Sequence, residues 1–157
     1  MQRRSTILSL LVLAAFLVVT CWILVTLTGG VSQAEVSRIP APDGILDAVV
    51  LETNGGATTS FGYLVYITPR GASVKRGQMV ARLYGASLNG SAYGVNLRWL
   101  SSEALAVEYF TAESASLEKT TADLRGKTVR VSLRELVLDT NAPAGGMLFN
   151  LQQRRPK

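Results

Sequence analysis

Thr128 to Arg134 reads TVRVSLR, and its apolar residues recur at every second position. Val129, Val131 and Leu133 fall on one side, and Thr128, Arg130, Ser132 and Arg134 on the other. A two-residue period belongs to a strand with one buried face and one wetted face. Gly94 to Trp99 repeats it, with Val95, Leu97 and Trp99 opposite Asn96 and Arg98. Leu105, Val107 and Tyr109 alternate with Ala106 and Glu108. Phe61 to Thr68 and Met79 to Gly85 are rich in Tyr, Val, Ile and Leu, and Leu46 to Thr53 is a further apolar run. Six strands follow, with weaker seventh candidates near Leu117 and Leu148.

The punctuation between the runs is turn chemistry: Asp43-Gly44, Asn54-Gly55-Gly56, Pro69-Arg70-Gly71, Asn89-Gly90 and Arg125-Gly126-Lys127. This spacing predicts antiparallel hairpins, because parallel strands need a long crossover, usually helical. Ala115 to Arg125 has room for a helical turn or two. One face of each alternating strand must be covered, so the expected fold is all-β, a small antiparallel meander or sandwich over residues 43–150.

The N-terminal part is of another kind. No charge occurs between Arg4 and Glu35, and Ile7 to Thr28 reads ILSLLVLAAFLVVTCWILVTLT. As a helix these 22 residues would reach about 33 Å, enough to cross a bilayer core. A soluble helix without a polar face would need burial all round, and the remaining chain is too small to supply it. Residues 7–28 are therefore expected to be a transmembrane helix embedded in lipid. Residues 1–6 precede it, 29–42 form a linker marked by Pro40 and Pro42, and 151–157 form a basic tail. Two other readings compete. Ser32-Gln33-Ala34 is a small-x-small cleavage site, but a secretory apolar region usually runs 7–15 residues. Val18-Val19-Thr20-Cys21 resembles a lipobox, but Thr20 departs from it and Trp22-Ile23-Leu24-Val25 continues the apolar run.

Arg3 and Arg4 flank one end of the span, while Gly29 to Ala48 holds only Arg38 beside Glu35, Asp43 and Asp47. Positive residues stay inside. The expected arrangement has a cytoplasmic N-terminus and a domain on the periplasmic side of a bacterial inner membrane.

Composition excludes several chemistries. Histidine is absent and Cys21 is the only cysteine, so no Ser-His-Asp triad, His-ligated zinc site or internal disulfide is available within the chain. The net charge of +5 comes from the ends: without Arg3, Arg4, Arg154, Arg155 and Lys157 the body carries eleven charges of each sign. No basic stripe with interleaved aromatics runs through it, so nucleic acid is not an expected partner. No cofactor is expected.

Ala41-Pro42-Asp43-Gly44, Ala48-Val49-Val50, Tyr63-Leu64-Val65-Tyr66-Ile67, Ala81-Arg82-Leu83 and Leu97-Arg98-Trp99-Leu100-Ser101 together resemble one blade of the Tol-type β-propeller repeat. Ala41 stands where that repeat has Ser, and Trp99 to Glu103 lacks a second Pro-Asp-Gly turn. A propeller needs about four or more blades, so the resemblance implies a four-stranded antiparallel meander and no function. The whole chain also resembles small membrane-anchored envelope proteins of bacteria.

The most unusual stretch for chemistry is Asn54-Gly55-Gly56-Ala57-Thr58-Thr59-Ser60. Glycines free the backbone, and three consecutive hydroxyls offer partners to a ligand's oxygens. The bland alternative is a long hairpin loop that caps its own backbone. The candidate binding residues are Asn54, Thr58, Thr59 and Ser60, with Tyr63 and Tyr66 nearby in sequence. Ser116-Leu117-Glu118-Lys119 fits the S-x-x-K pattern of serine acylation, but its S-D-N and K-T-G partners are missing. Asp43 and Asp47 lack calcium-loop spacing. The expected function is a non-catalytic binding module at the cell envelope, with envelope proteins as partners. The alternative is a small envelope hydrolase working without His or Cys on cell-wall or glycan material.

Overall fold

The structure is a computed structural model that describes residues 32–56 and 58–154. The expected span 7–28 lies outside the described residues, as do Ala57 and residues 155–157. Among the described residues no helix is long and apolar enough to cross a membrane. Among the described residues, nine strands and one α-helix run in the order β1 (Ser32–Pro40), β2 (Leu46–Asn54), β3 (Gly62–Pro69), β4 (Gln78–Tyr84), β5 (Asn96–Ser101), β6 (Ala104–Glu108), β7 (Ser114–Leu117), β8 (Thr121–Leu124), β9 (Lys127–Arg134) and α1 (Met147–Gln153). One sheet has the order β1-β2-β3-β4-β7 and the other β5-β6-β9-β8. The domain is all-β apart from α1, and all six expected strands are present as β2, β3, β4, β5, β6 and β9.

The turns form for the reasons the residues suggest. Gly44 adopts a φ of +70°, its N–H donates to Ala41 O at 2.9 Å, and Asp43 Oδ1 accepts from Ile45 N at 3.1 Å. Glycine reaches that φ without a steric cost.

The two inner faces supply one core. Leu46, Val50, Val65 and Leu83 come from the first sheet, and Leu97, Leu105, Val107 and Val129 from the second. Each such side chain contributes roughly 1.5–3 kcal/mol on burial. The sheets are continuous on one side, where β7 and β8 are separated only by Glu118 to Thr120. Glu118 N donates to Val80 O at 2.9 Å, and Val131 N donates to Thr120 O at 2.8 Å. On the other side Trp99 Nε1 of β5 donates to Ile39 O of β1 at 3.1 Å. Trp99 packs on the core, as its inward position requires.

Four expectations are corrected. Residues 32–40, expected in the linker, form β1, which pairs antiparallel with β2 from Ser32 opposite Asn54 to Pro40 opposite Asp47. Pro40 is tolerated because β1 is an edge strand. Ala115 to Arg125 holds β7 and β8 instead of helical turns. Leu148 lies in α1, not in a strand, and α1 also takes in residues 151–153 of the expected tail. Finally, β6 pairs with β9 in parallel, from Ala104 opposite Arg130 to Glu108 opposite Arg134. The crossover that parallel pairing demands is built from β7 and β8 rather than from a helix.

The meander implied for residues 41–101 would set the Trp99 strand beside β4, whereas the first sheet runs β1-β2-β3-β4-β7. The Trp99 strand, β5, pairs with β6 in the other sheet.

Strand direction divides the domain into two ends. Ser32, Asn54, Gly62, Tyr84 and Ser114 share the end of the first sheet at which the described chain begins. We call this the entry end. It carries the Asn54 to Phe61 loop, Gly85 to Val95, Tyr109 to Glu113, and the segment that leads from β9 to α1. The far end carries the turns at Ala41 to Ile45, Arg70 to Gly77 and Arg125-Gly126.

Candidate functional site

The polar loop between β2 and β3 lies at the entry end and is mostly occupied with itself. Asn54 Oδ1 accepts from Gly56 N at 2.8 Å. Thr59 N and Oγ1 both donate to Gly56 O, at 3.2 and 3.1 Å. Such bonds are the usual competition of short polar side chains for nearby backbone. Ser60 ties the loop outward: its N–H donates to Tyr84 Oη at 3.0 Å, and its hydroxyl donates to Glu113 Oε1. Thr58 is exposed and lines a shallow depression with Thr59, Ser60, Phe61 and Tyr93.

The structure therefore keeps Asn54, Thr58, Thr59 and Ser60 together and parts Tyr63 from Tyr66. Tyr63 points into the core and is fully buried. Its hydroxyl donates to Glu52 Oε2 at 3.3 Å, and burial pushes it well above the usual phenol value, with the Glu52 charge acting in the same direction. Tyr66 is half-buried on the outer face, opposite Val49 and Met79. An odd separation along a strand sends two side chains to opposite faces, so no single ligand touches both.

Beside the loop is a cleft of about 280 Å³ that the sequence reading missed. Val36, Leu88 and Met147 give it an apolar floor, and Asn96, Asp139, Asn150 and Arg154 supply polar groups. Tyr93 lines both the cleft and the loop depression, and its ring lies 5.7 Å from that of Phe61 at 50°. Asp139 organises one wall. Its Oδ2 accepts from Asn96 Nδ2 at 2.8 Å and its Oδ1 from Asn141 N at 3.0 Å. Asn89 pins the same segment: its Nδ2 donates to Asp139 O at 2.8 Å and Ala142 O at 3.1 Å, while its Oδ1 accepts from Ser91 N and Ala92 N. The Asn89-Gly90 turn is thus a clamp between two loops, and this was the one local signal of the cleft.

The helix α1 is held at its start by a residue far away in sequence. Glu52 Oε2 accepts from Met147 N at 2.8 Å and from Leu148 N at 3.4 Å. The carboxylate, only 4% exposed, replaces the side-chain cap that Gly146 cannot provide. Gly94 allows the close approach this packing needs: a Cβ there would lie 2.8 Å from Met147 Cγ.

Elsewhere the polar side chains are engaged structurally. Ser116 lies on strand β7, and Lys119 Nζ donates to Gln78 Oε1 at 2.8 Å, so the S-x-x-K residues have no helix on which to meet. Asp43 receives a hydrogen bond from Lys127 at the far end, and that ammonium is the main reason its carboxyl is held below its usual value. Among the described residues, no three His, Cys, Asp or Glu side chains gather in a way that could hold a metal ion.

No family model, curated protein or solved structure matches the chain.

Proposed function

We propose that this protein is a single-pass, membrane-anchored β-domain that works by binding, displayed on the outer face of a bacterial cytoplasmic membrane with its N-terminus in the cytoplasm. The charge-free run from Ser5 to Ala34, preceded by Arg3 and Arg4, supports the tether and its direction. The observation that carries the binding reading is the cleft at the entry end. It combines an apolar floor, an exposed aromatic side chain, side-chain amides and one charge of each sign. Such a lining suits a ligand that presents both hydroxyl or amide groups and an apolar face.

Two experiments test this reading. A periplasm-dependent reporter fused after Lys157 should be active, and a cytosol-dependent one silent; the reverse pattern rejects the topology. The detergent-solubilised full chain should gain thermal stability with soluble peptidoglycan fragments, which carry sugar hydroxyls, amides and charges. The gain should fall in Tyr93→Ala, since ligand that binds only the folded state raises its apparent stability. An equal gain in both proteins rejects the cleft as the binding site.

A further inference from the structure

The described surface is unevenly greasy. Of the eight large hydrophobic side chains that are exposed among the described residues, six lie at the entry end: Tyr84, Tyr93, Leu136, Leu138, Phe149 and Leu151. The other two are Ile45, in the far-end turn, and Leu100, near the far end of β5. The six are not one sequence motif. They come from β4, the Gly85 to Val95 loop, the segment after β9, and α1, and the topology alone gathers them.

Leu136 is the most telling of the six. It is 73% exposed and holds a φ of +63°, a conformation that costs a branched L side chain roughly 1–2 kcal/mol. Neither burial nor backbone preference accounts for leucine at this position. Strain at an exposed residue points toward a role in function.

The length of chain before β1 says what meets this surface. The apolar run ends at Thr28, and only Gly29, Gly30 and Val31 separate it from Ser32, the first residue of β1. Three extended residues reach about 10 Å. If the span ends at Thr28, a linker this short would keep the entry end close to the headgroups. We infer that the entry end rests on the bilayer interface, with Tyr93, Leu136, Leu138 and Phe149 inserted among the headgroups and the Asn54 to Ser60 loop hydrogen-bonded to them. This rests on the membrane-anchored reading above. Amphipathic aromatics favour that depth. Glu113 and Glu135 lie at the same end, so apolar contact rather than attraction to anionic lipid is the driving term. Arg154, on the cleft wall, begins a basic tail suited to lipid phosphates. The contact need not be strong, because a short tether makes it intramolecular.

The test uses the full chain in vesicles of phosphatidylethanolamine and phosphatidylglycerol. With Cys21 replaced by serine, a single environment-sensitive label is placed at Thr58→Cys or at Lys75→Cys. Lipids carrying a nitroxide at the headgroup should quench the label at 58 and leave that at 75 bright. Phe149→Ser with Tyr93→Ser should restore emission at 58. Flotation separates the two ways to fail. A chain that does not float with vesicles refutes the tether and this inference together. A chain that floats with both labels equally bright refutes only the interfacial contact. A label at 58 that stays bright with nitroxide lipid yet is shielded from a water-soluble quencher in native membranes also refutes it, because the surface then takes a protein.

Discussion

Strand β2 carries one buried carboxylate near each end, and the two are stabilised by opposite means. Asp47, near the far end and 1% exposed, is met by cations. Arg38 Nη1 lies at 3.0 Å and Arg70 Nη1 at 3.3 Å, and Gly71 N donates at 2.8 Å. Arg38 in turn chelates Glu35 through two bonds of 2.7 Å, which, with Asp47, hold it above the usual guanidinium value. Glu52, near the entry end, has no such cation among the described residues; backbone N–H groups of α1 and the Tyr63 hydroxyl bind it. The far end is closed by ion pairs and tight turns. At the entry end of β2 the carboxylate reaches instead into a short helix, while on the second sheet Glu108 is met there by Arg98 at 2.7 Å and Arg134 at 3.4 Å; this end also keeps most of the exposed apolar side chains.

The sharpest way to break the comparison is Asp47→Ala. Removing one partner of a buried pair typically costs 3–5 kcal/mol, but Arg70 is half-exposed and Arg38 partly so, so water recovers part of the loss. The expected cost is about 2–3 kcal/mol, read as a lower urea midpoint with an unchanged slope. Glu52→Ala should cost about 1–3 kcal/mol and act locally. Amide hydrogen exchange should speed up from Met147 to Asn150 and stay unchanged at the far end. Uniform acceleration across the domain would mean that Glu52 serves the core rather than the helix.

The same two residues show how far the sequence could be read. Six strands were legible because β5, β6 and β9 keep a two-residue period, and β2, β3 and β4 are apolar runs that stop at Asn54, Pro69 and Gly85. β1 was not, because a bulge between Glu35 and Ser37 breaks its alternation and Val36 turns to the core out of phase. β8 is four residues long, too short for a period to show. α1 had no visible start: Gly146 precedes it with no side-chain cap, and its cap is Glu52, 95 residues earlier. The parallel β6–β9 pair was hidden for the same reason, since nothing local announces a partner beyond two intervening strands. Half of the candidate site was legible in the Asn54 to Ser60 loop. The cleft was not, because Tyr93, Asn96, Asp139 and Arg154 are brought together only by topology.

A smaller effect probes the Glu52 side alone. Tyr63 is neutral in the folded state at pH values where the unfolded phenol, with its ordinary value of 10, has ionised. Its contribution to stability is therefore complete below that pH and is lost progressively above it. Tyr63→Phe should cost about 1 kcal/mol at neutral pH, for the hydrogen bond to Glu52. It should also flatten the fall in urea midpoint between one unit below and one unit above that value. Some slope should persist, because burial also raises Tyr109. An unchanged alkaline slope would remove Tyr63 from the account.

The smallest expected change in stability discriminates best between the two ends. At Leu136→Gly the strained φ of +63° becomes permissible, while little burial is lost from a side chain 73% exposed. The greater freedom of glycine in the unfolded chain offsets part of that gain, so the net stabilisation should be about 0.5–1 kcal/mol. At Arg125, the far-end residue with a φ of +54°, Arg125→Gly should bring a similar gain by the same physics. The two substitutions part company on vesicles: Leu136→Gly should weaken quenching of the label at residue 58, and Arg125→Gly should leave it unchanged. A more stable domain that touches lipid less would mean that leucine is kept at 136 for what it contacts, at the expense of the fold. If both substitutions leave the quenching alone, the strain at Leu136 has no functional meaning, and the difference between the two ends is one of packing only.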